Sequence, residues 1–241
     1  MKIKNKISFV FIFISLFCNS ISAQNLKEEY KECAVESFNL KDYKESINYF
    51  SLAIQTNPID SLLYFDRAMV KEIIKDYQGA IDDFTKAIEI DSNNVDNYFM
   101  RAINKSHLKN YEEAIKDFNK TIALEPSNAD AHYLMGVSKQ QLNDYAGAFI
   151  NYTDAIKYNP SHTEAYSSRA DLNLILKKHK DALFDYNKAI ELEPQTAKFY
   201  LQKAKLEKIL KNNIKACEDL NTYKTLGGVI EDEELKLICN H

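Results

Sequence analysis

The sequence predicts an all-α solenoid of six helix pairs, each 34 residues long. Three observations carry that reading. Pro126, Pro160 and Pro194 stand 34 residues apart, and Pro58 stands two such steps before Pro126. Columns of small and aromatic residues recur at the same step. Turn formers are scarce, with 5 Gly and 4 Pro in 241 residues, which argues against a turn-rich β fold. A fixed period of this length marks a stack of repeats, because one helix pair cannot bury its apolar face alone.

Starting the first repeat at Lys27 divides the chain without gaps into 27–60, 61–94, 95–128, 129–162, 163–196 and 197–230. The fourth place of each repeat reads Tyr30, Tyr64, Tyr98, His132, Tyr166, Tyr200. The eighth is small: Ala34, Ala68, Ala102, Gly136, Ala170, Ala204. The twentieth is small again, from Ser46 through Ala80 to Ala216. The twenty-fourth holds Phe50, Phe84, Phe118, Tyr152, Tyr186, Leu220. Apolar places at 4, 8 and 14, then at 20, 21, 24, 27 and 28, follow helical spacing and give two helices per repeat. The small places let two backbones approach, and the aromatic ones fill the space beside them. A polar turn such as Lys75-Asp76 separates the helices, and in four of the six repeats a proline near the end stops the second one, with Ser92 and Gly228 at that place in the second and sixth.

Residues 1–23 stand apart. Lys2, Lys4 and Lys6 precede an apolar run from Ile7 to Phe17 and a small, polar stretch ending at Ala23. That is the layout of a secretory signal peptide with cleavage expected after Ala23, and the run is too short for a spanning helix. An uncleaved N-terminal anchor is the alternative. A lipoprotein attachment at Cys18 needs a small residue before the cysteine, where Phe17 stands. The sequence therefore predicts a periplasmic or secreted protein with no stable membrane insertion after cleavage. Removing this segment takes 3 of the 31 basic residues and no acid, leaving 28 against 35 acidic ones, a net of −7. Such a chain has no general attraction for nucleic acid.

These columns resemble the tetratricopeptide repeat family over about 200 residues, 27–230. The resemblance implies a right-handed α-solenoid. Where the family often has Gly in the turn, this chain has Lys41, Lys75, Lys109, Asn143, Lys177 and Lys211. The sixth repeat is degenerate, with Tyr223 at a normally small place, as terminal repeats often are. A capping helix is expected over 231–238, with Leu235 and Ile238 turned to the last repeat. The resemblance also places the first helices along a concave groove. Its expected lining is Phe65 and Met69, Phe99 and Ile103, Tyr133 and Val137, then Lys198, Lys205 and Lys208 at the basic end, with Leu62 and Ile73 adding to the second repeat. The chaperone-tail-binding members clamp a carboxylate with Lys and Asn at the fifth and ninth places. Here those places hold Lys31/Val35, Phe65/Met69 and Phe99/Ile103, so that partner is not expected.

Two columns change together. The seventh reads Cys33, Arg67, Arg101, Met135, Arg169, Lys203, and the twenty-third reads Tyr49, Asp83, Asp117, Asn151, Asp185, Asp219. A basic residue always meets Asp. A ligand-binding strip would show this, and so would an ion pair between the helices of one repeat. A buried charge needs a partner, which favours the pair. Past the leader the cysteines are Cys33, Cys217 and Cys239. In an oxidising compartment Cys217 and Cys239 form a candidate bridge; alternatively Cys217 is a small buried hydrophobe in a column of Ile, Phe and Leu. The histidines are scattered without metal spacing, and no phosphate loop or nucleophile motif occurs, so neither a metal, a cofactor nor an enzyme activity is expected. The function these features predict is a non-enzymatic module that binds a peptide or helix of a partner protein in its groove. The alternative is a structural subunit of an envelope assembly that uses its convex face or its ends.

Overall fold

The computed structural model describes residues 23–231 together with Glu233 and Cys239. The expected leader, Ala23 apart, and the expected cap helix, Glu231 and Glu233 apart, lie outside the described residues. Within them there are twelve helices and no strand. They are α1 (Ala23–Asn39), α2 (Tyr43–Thr56), α3 (Ser61–Ile73), α4 (Tyr77–Ile90), α5 (Val95–His107), α6 (Tyr111–Leu124), α7 (Ala129–Gln141), α8 (Tyr145–Tyr158), α9 (Thr163–Ile175), α10 (His179–Leu192), α11 (Ala197–Ile209) and α12 (Asn213–Thr225). They form six consecutive pairs, the architecture of an α-solenoid. The chain divides into two compact halves, one ending at Asn110 and the other beginning at Tyr111.

Local chemistry sets the helix boundaries. The Asp76 carboxylate accepts from the Gly79 amide at 3.0 Å, and Asp144 does the same for Gly147 at 2.9 Å, so an Asp caps the start of α4 and of α8. Asp60, Asn94 and Asn128 cap α3, α5 and α7 in the same way. The first helices end on a left-handed residue. Lys41, Lys75, Lys109, Asn143, Lys177 and Lys211 all have φ between 57° and 63°. Around Lys75 the Asp76 amide bonds the Lys71 carbonyl at 2.9 Å and the Lys75 amide bonds Glu72 at 2.8 Å, which satisfies carbonyls that the helix leaves open. This is the place where the family pattern often has Gly, and a side chain there is held at a backbone cost of about 1–2 kcal/mol.

The core follows the columns. Ala34, Ala68, Ala102 and Ala170 at the eighth place, and Ala80, Ala114, Ala148 and Ala182 at the twentieth, have no exposed surface. Phe84, Phe118 and Tyr186 between them are likewise fully buried. At Gly136 an added Cβ would stand 2.7 Å from the Tyr152 ring, so the bulk at that contact sits on Tyr152 alone. His132 takes the fourth place of repeat 4, 7 % exposed, with Nε2 3.1 Å from the Pro126 carbonyl. Tyr64 and Tyr200 make the same contact through their hydroxyls, to Pro58 at 3.2 Å and Pro194 at 3.1 Å, so His132 substitutes for a Tyr in a packing role.

Candidate functional site

The paired columns resolve into ion pairs. In the N-terminal half Arg67 grips Asp83 with two hydrogen bonds, 2.8 Å from Nε and 2.6 Å from an Nη, and Lys71 reaches the same carboxylate at 2.7 Å. In the C-terminal half Arg169 holds Asp185 at 2.9 and 2.7 Å, and Lys203 meets Asp219 at 2.8 Å. Arg101 and Asp117 belong to different halves. The carboxylates are 5 %, 2 % and 8 % exposed in their side chains, so these charges are structural and not a strip for a ligand. Each Arg also reaches back to a hydroxyl of the preceding repeat. Arg67 donates to Ser51 at 2.9 Å, Arg101 to Thr85 at 3.0 Å and Arg169 to Thr153 at 3.2 Å. Those hydroxyls give their own protons to carbonyls four residues earlier, which leaves a lone pair for the guanidinium. The twenty-fifth column holds Ser or Thr only where the next repeat has Arg at its seventh place. That signal lies in the sequence across a repeat boundary and not within one repeat.

With the charges spent on structure, the first helices carry the candidate surface. On α3, Leu62, Phe65, Met69 and Ile73 fall at spacings of three and four and share one face. Phe65 and Met69 are half-buried against the Ala68, Ala80 and Phe84 cluster, and the Phe65 ring sits edge-on to Phe84 with centroids 5.6 Å apart. Leu62 and Ile73, at the ends of the row, are 53 % and 46 % exposed. On α5, Phe99 and Ile103 are half-buried. The Phe65 ring rests on the core while the α3 row remains open to solvent at its ends.

In the C-terminal half Tyr133 and Val137 are half-buried on α7, packed with Ala148, Tyr152 and Leu172. The Tyr133 ring lies 5.8 Å from Tyr152 and 4.7 Å from His162. Burial raises the Tyr133 hydroxyl's pKa, against a hydrogen bond with Ser168 that lowers it. One turn of the stack further on, the ninth place is Asp171, whose carboxylate accepts from the Tyr186 hydroxyl. Burial pushes the Asp171 carboxyl up, while the Tyr186 bond and then Lys198 and Lys205 pull it down. Lys198, Lys205 and Lys208 are exposed on α11. Lys205 and Lys208 rim a cavity of about 300 Å³ floored by Leu201, Ala204, Leu220, Tyr223 and Ile230. Cys217 and Cys239 are joined by a disulfide, with Cα atoms 5.1 Å apart, and Cys33 is free. Among the described residues no group of three or more His, Cys, Asp or Glu is placed to hold a metal, and no helix is long and apolar enough to cross a membrane.

Comparison with known proteins agrees with this construction. Profiles described as tetratricopeptide repeat match residues 62–94 and 133–197, and one described as TPR repeat matches 108–143. No curated protein matches the chain in sequence. Among solved structures, Pseudomonas aeruginosa PilF superposes with a TM-score of 0.72 at 17 % identity, covering 90 % of this chain and 99 % of that one. PilW, titled a widely conserved type IV pilus biogenesis factor, gives 0.72 at 18 %, covering 88 % and 98 %. YrrB, titled a TPR protein with an unusual peptide-binding site, gives 0.63 at 22 %, covering 79 % and 97 %. At these identities the likeness establishes fold and nothing more specific. The profiles, the helix bounds and the superpositions agree, and the chain is an α-solenoid that belongs to the tetratricopeptide repeat family, matched in sequence over 62–94 and 108–197.

Proposed function

We propose that this protein is a non-enzymatic interaction module that holds a peptide or helix of a partner protein against its first helices, in the cell envelope or outside the cell. The observation that carries the reading is the α3 row, Leu62, Phe65, Met69 and Ile73, an apolar stripe left open at a place where a monomer gains nothing from exposing it. Phe99 and Ile103 extend the same chemistry within the N-terminal half. Tyr133 and Val137 repeat it in the C-terminal half, ending at Lys198, Lys205 and Lys208. An amphipathic helix or extended apolar segment suits the rings, and acidic residues suit the lysines. The Cys217–Cys239 bridge supports an oxidising compartment, in keeping with the leader read from residues 1–23.

The test is quantitative capture of a partner crosslinked in the native envelope, comparing wild type with a Phe65→Ala, Phe99→Ala, Tyr133→Ala triple variant. Aromatic anchors carry most of an interface's affinity, so each ring lost costs about 1–2 kcal/mol of binding. The expected result is loss of capture with the helical content retained. A sharp fall in melting temperature with capture unchanged would assign the rings to the core and remove the reading.

A further inference from the structure

Repeats 2, 3, 5 and 6 dock on the one before through the tenth place of the first helix. Val70 packs with Ala34 and Phe50 of repeat 1. Leu172 packs with Ala148 and Tyr152 of repeat 4, and Leu206 with Ala182 and Tyr186 of repeat 5. Asn104 donates to Glu72, the twelfth place of repeat 2, at 2.8 Å. From repeat 2 to repeat 6 the tenth-place residue is never more than 2 % exposed. In repeat 1 it is Glu36, and it is exposed.

Glu28, Glu32 and Glu36 form an exposed row along α1 at spacings of four. Val35 and Leu40 lie beside it, 45 % and 61 % exposed. Charge on a terminal face serves solubility, and that alone would account for α1. The other end of the stack is different in sign. There the ninth and twelfth places are Lys205 and Lys208, in a chain whose net charge is −4. Among the described residues neither lysine has an ion-pair partner. Ile230 covers part of this end face by packing on Ala204, Ala216 and Leu220, and the cavity of about 300 Å³ remains beside it.

We infer that the two ends are a matched pair, and that a second copy of this chain docks its α1 face onto the α11 end face of the first. The register follows from the contacts within the chain. A tenth-place residue meets a twelfth-place residue in the Asn104–Glu72 bond, and the same step brings Glu36 of one copy to Lys208 of the other. Glu32, one turn earlier on α1, then faces Lys205. Val35 and Leu40 cover the apolar floor. Among the described residues the α1 face sets Glu32 and Glu36 against the two lysines and Val35 and Leu40 against the apolar floor, and this complementarity is why the occupant is a second copy. The interface joins unlike surfaces, so it leaves one free end of each kind and grows head to tail. It does not depend on the groove rings.

The test uses the full chain with Cys217–Cys239 oxidised, in sedimentation velocity at low salt over rising concentration. Wild type is expected to self-associate, less so as salt is raised. Glu32→Lys with Glu36→Lys, and separately Lys205→Glu with Lys208→Glu, should each weaken association by about tenfold or more, because like charges then face each other. An equimolar mixture of the two variants restores opposite charges at every junction and should recover association. Phe65→Ala should leave it unchanged, which separates this test from that of the groove. A wild type that stays monomeric throughout, or a mixture no better than its separate components, overturns the inference.

Discussion

Replacing Arg169 with Met tests what the paired columns do. The guanidinium holds Asp185 through two bonds, 2.9 and 2.7 Å, and that carboxylate is 2 % exposed. After the substitution Asp185 keeps only the Asn173 amide, 3.3 Å away. A buried charge left so is destabilising by about 3–5 kcal/mol. Arg169 also lies 5.7 Å over Tyr166, a contact worth about 0.5–1 kcal/mol more. The Thr153 hydroxyl loses little, since it retains the Phe149 carbonyl at 2.8 Å. Repeat 4 shows how the same position is built without charge, with Met135 and Asn151 in the two columns. Asp185→Asn added to Arg169→Met copies that arrangement and should recover all but about 1–2 kcal/mol of the loss. The assay is urea unfolding of the single and double variants, with the slope checked for a change in cooperativity. If Arg169→Met costs under about 1 kcal/mol, the pair behaves as a screened surface contact. If the double variant is no better than the single one, the two side chains are not coupled. Either outcome refutes the reasoning.

Two further outcomes follow from the C-terminal half. Cys217→Ala with Cys239→Ala removes a link of sequence separation 22 and should lower the urea-derived stability by about 3 kcal/mol, reproduced in wild type by reductant; an unchanged midpoint would show that the bridge restrains nothing. Burial raises the folded-state pKa of Asp171 and of Asp219. The folded chain therefore binds these protons more tightly than the unfolded one, and their contribution to stability falls as pH rises from the ordinary carboxylate range through the raised values. The unfolding midpoint should therefore carry more of this penalty at neutral pH than within the ordinary carboxylate range, and Asp171→Asn should flatten the slope. A variant with the wild-type slope would mean that Asp171 does not titrate differently in the two states.

Much of this was legible because the period imposes it. One row of Ala and one of Phe or Tyr, each 34 residues apart, suffice to place two helices per repeat, since small and large residues at those spacings have only one way to pack. Arg67 with Asp83 was legible for the same reason, as both lie in one repeat and change together. The Ser51, Thr85 and Thr153 hydroxyls were not sought, because their Arg partners belong to the following repeat. The burial of the tenth place was missed likewise. Val70 and Leu206 are aliphatic while Asn104 is polar, and what joins them is a neighbour in the preceding repeat. The Tyr186–Asp171 bond depends on where a ring points, which no column records. Cys217 fitted either a bridge or a hydrophobic column, and only the approach of Cys239 to 5.1 Å between Cα atoms decides between them.

The reach of each arginine has a consequence for how the chain folds as it is made. Arg67 is tied 16 residues forward to Asp83 and 16 residues back to Ser51, and Arg169 repeats both steps. Within each half the helices pack mainly on their neighbours in sequence. Closing such short loops costs little entropy, and chains dominated by local contacts fold quickly. The ion pair that joins the two helices of a repeat is then made of chain already synthesised when its second helix is complete. A ribosome or an export channel that releases the polypeptide from its N-terminus therefore releases repeats that wait only for the next one to cover their open face. Little apolar surface has to wait for a distant partner to arrive.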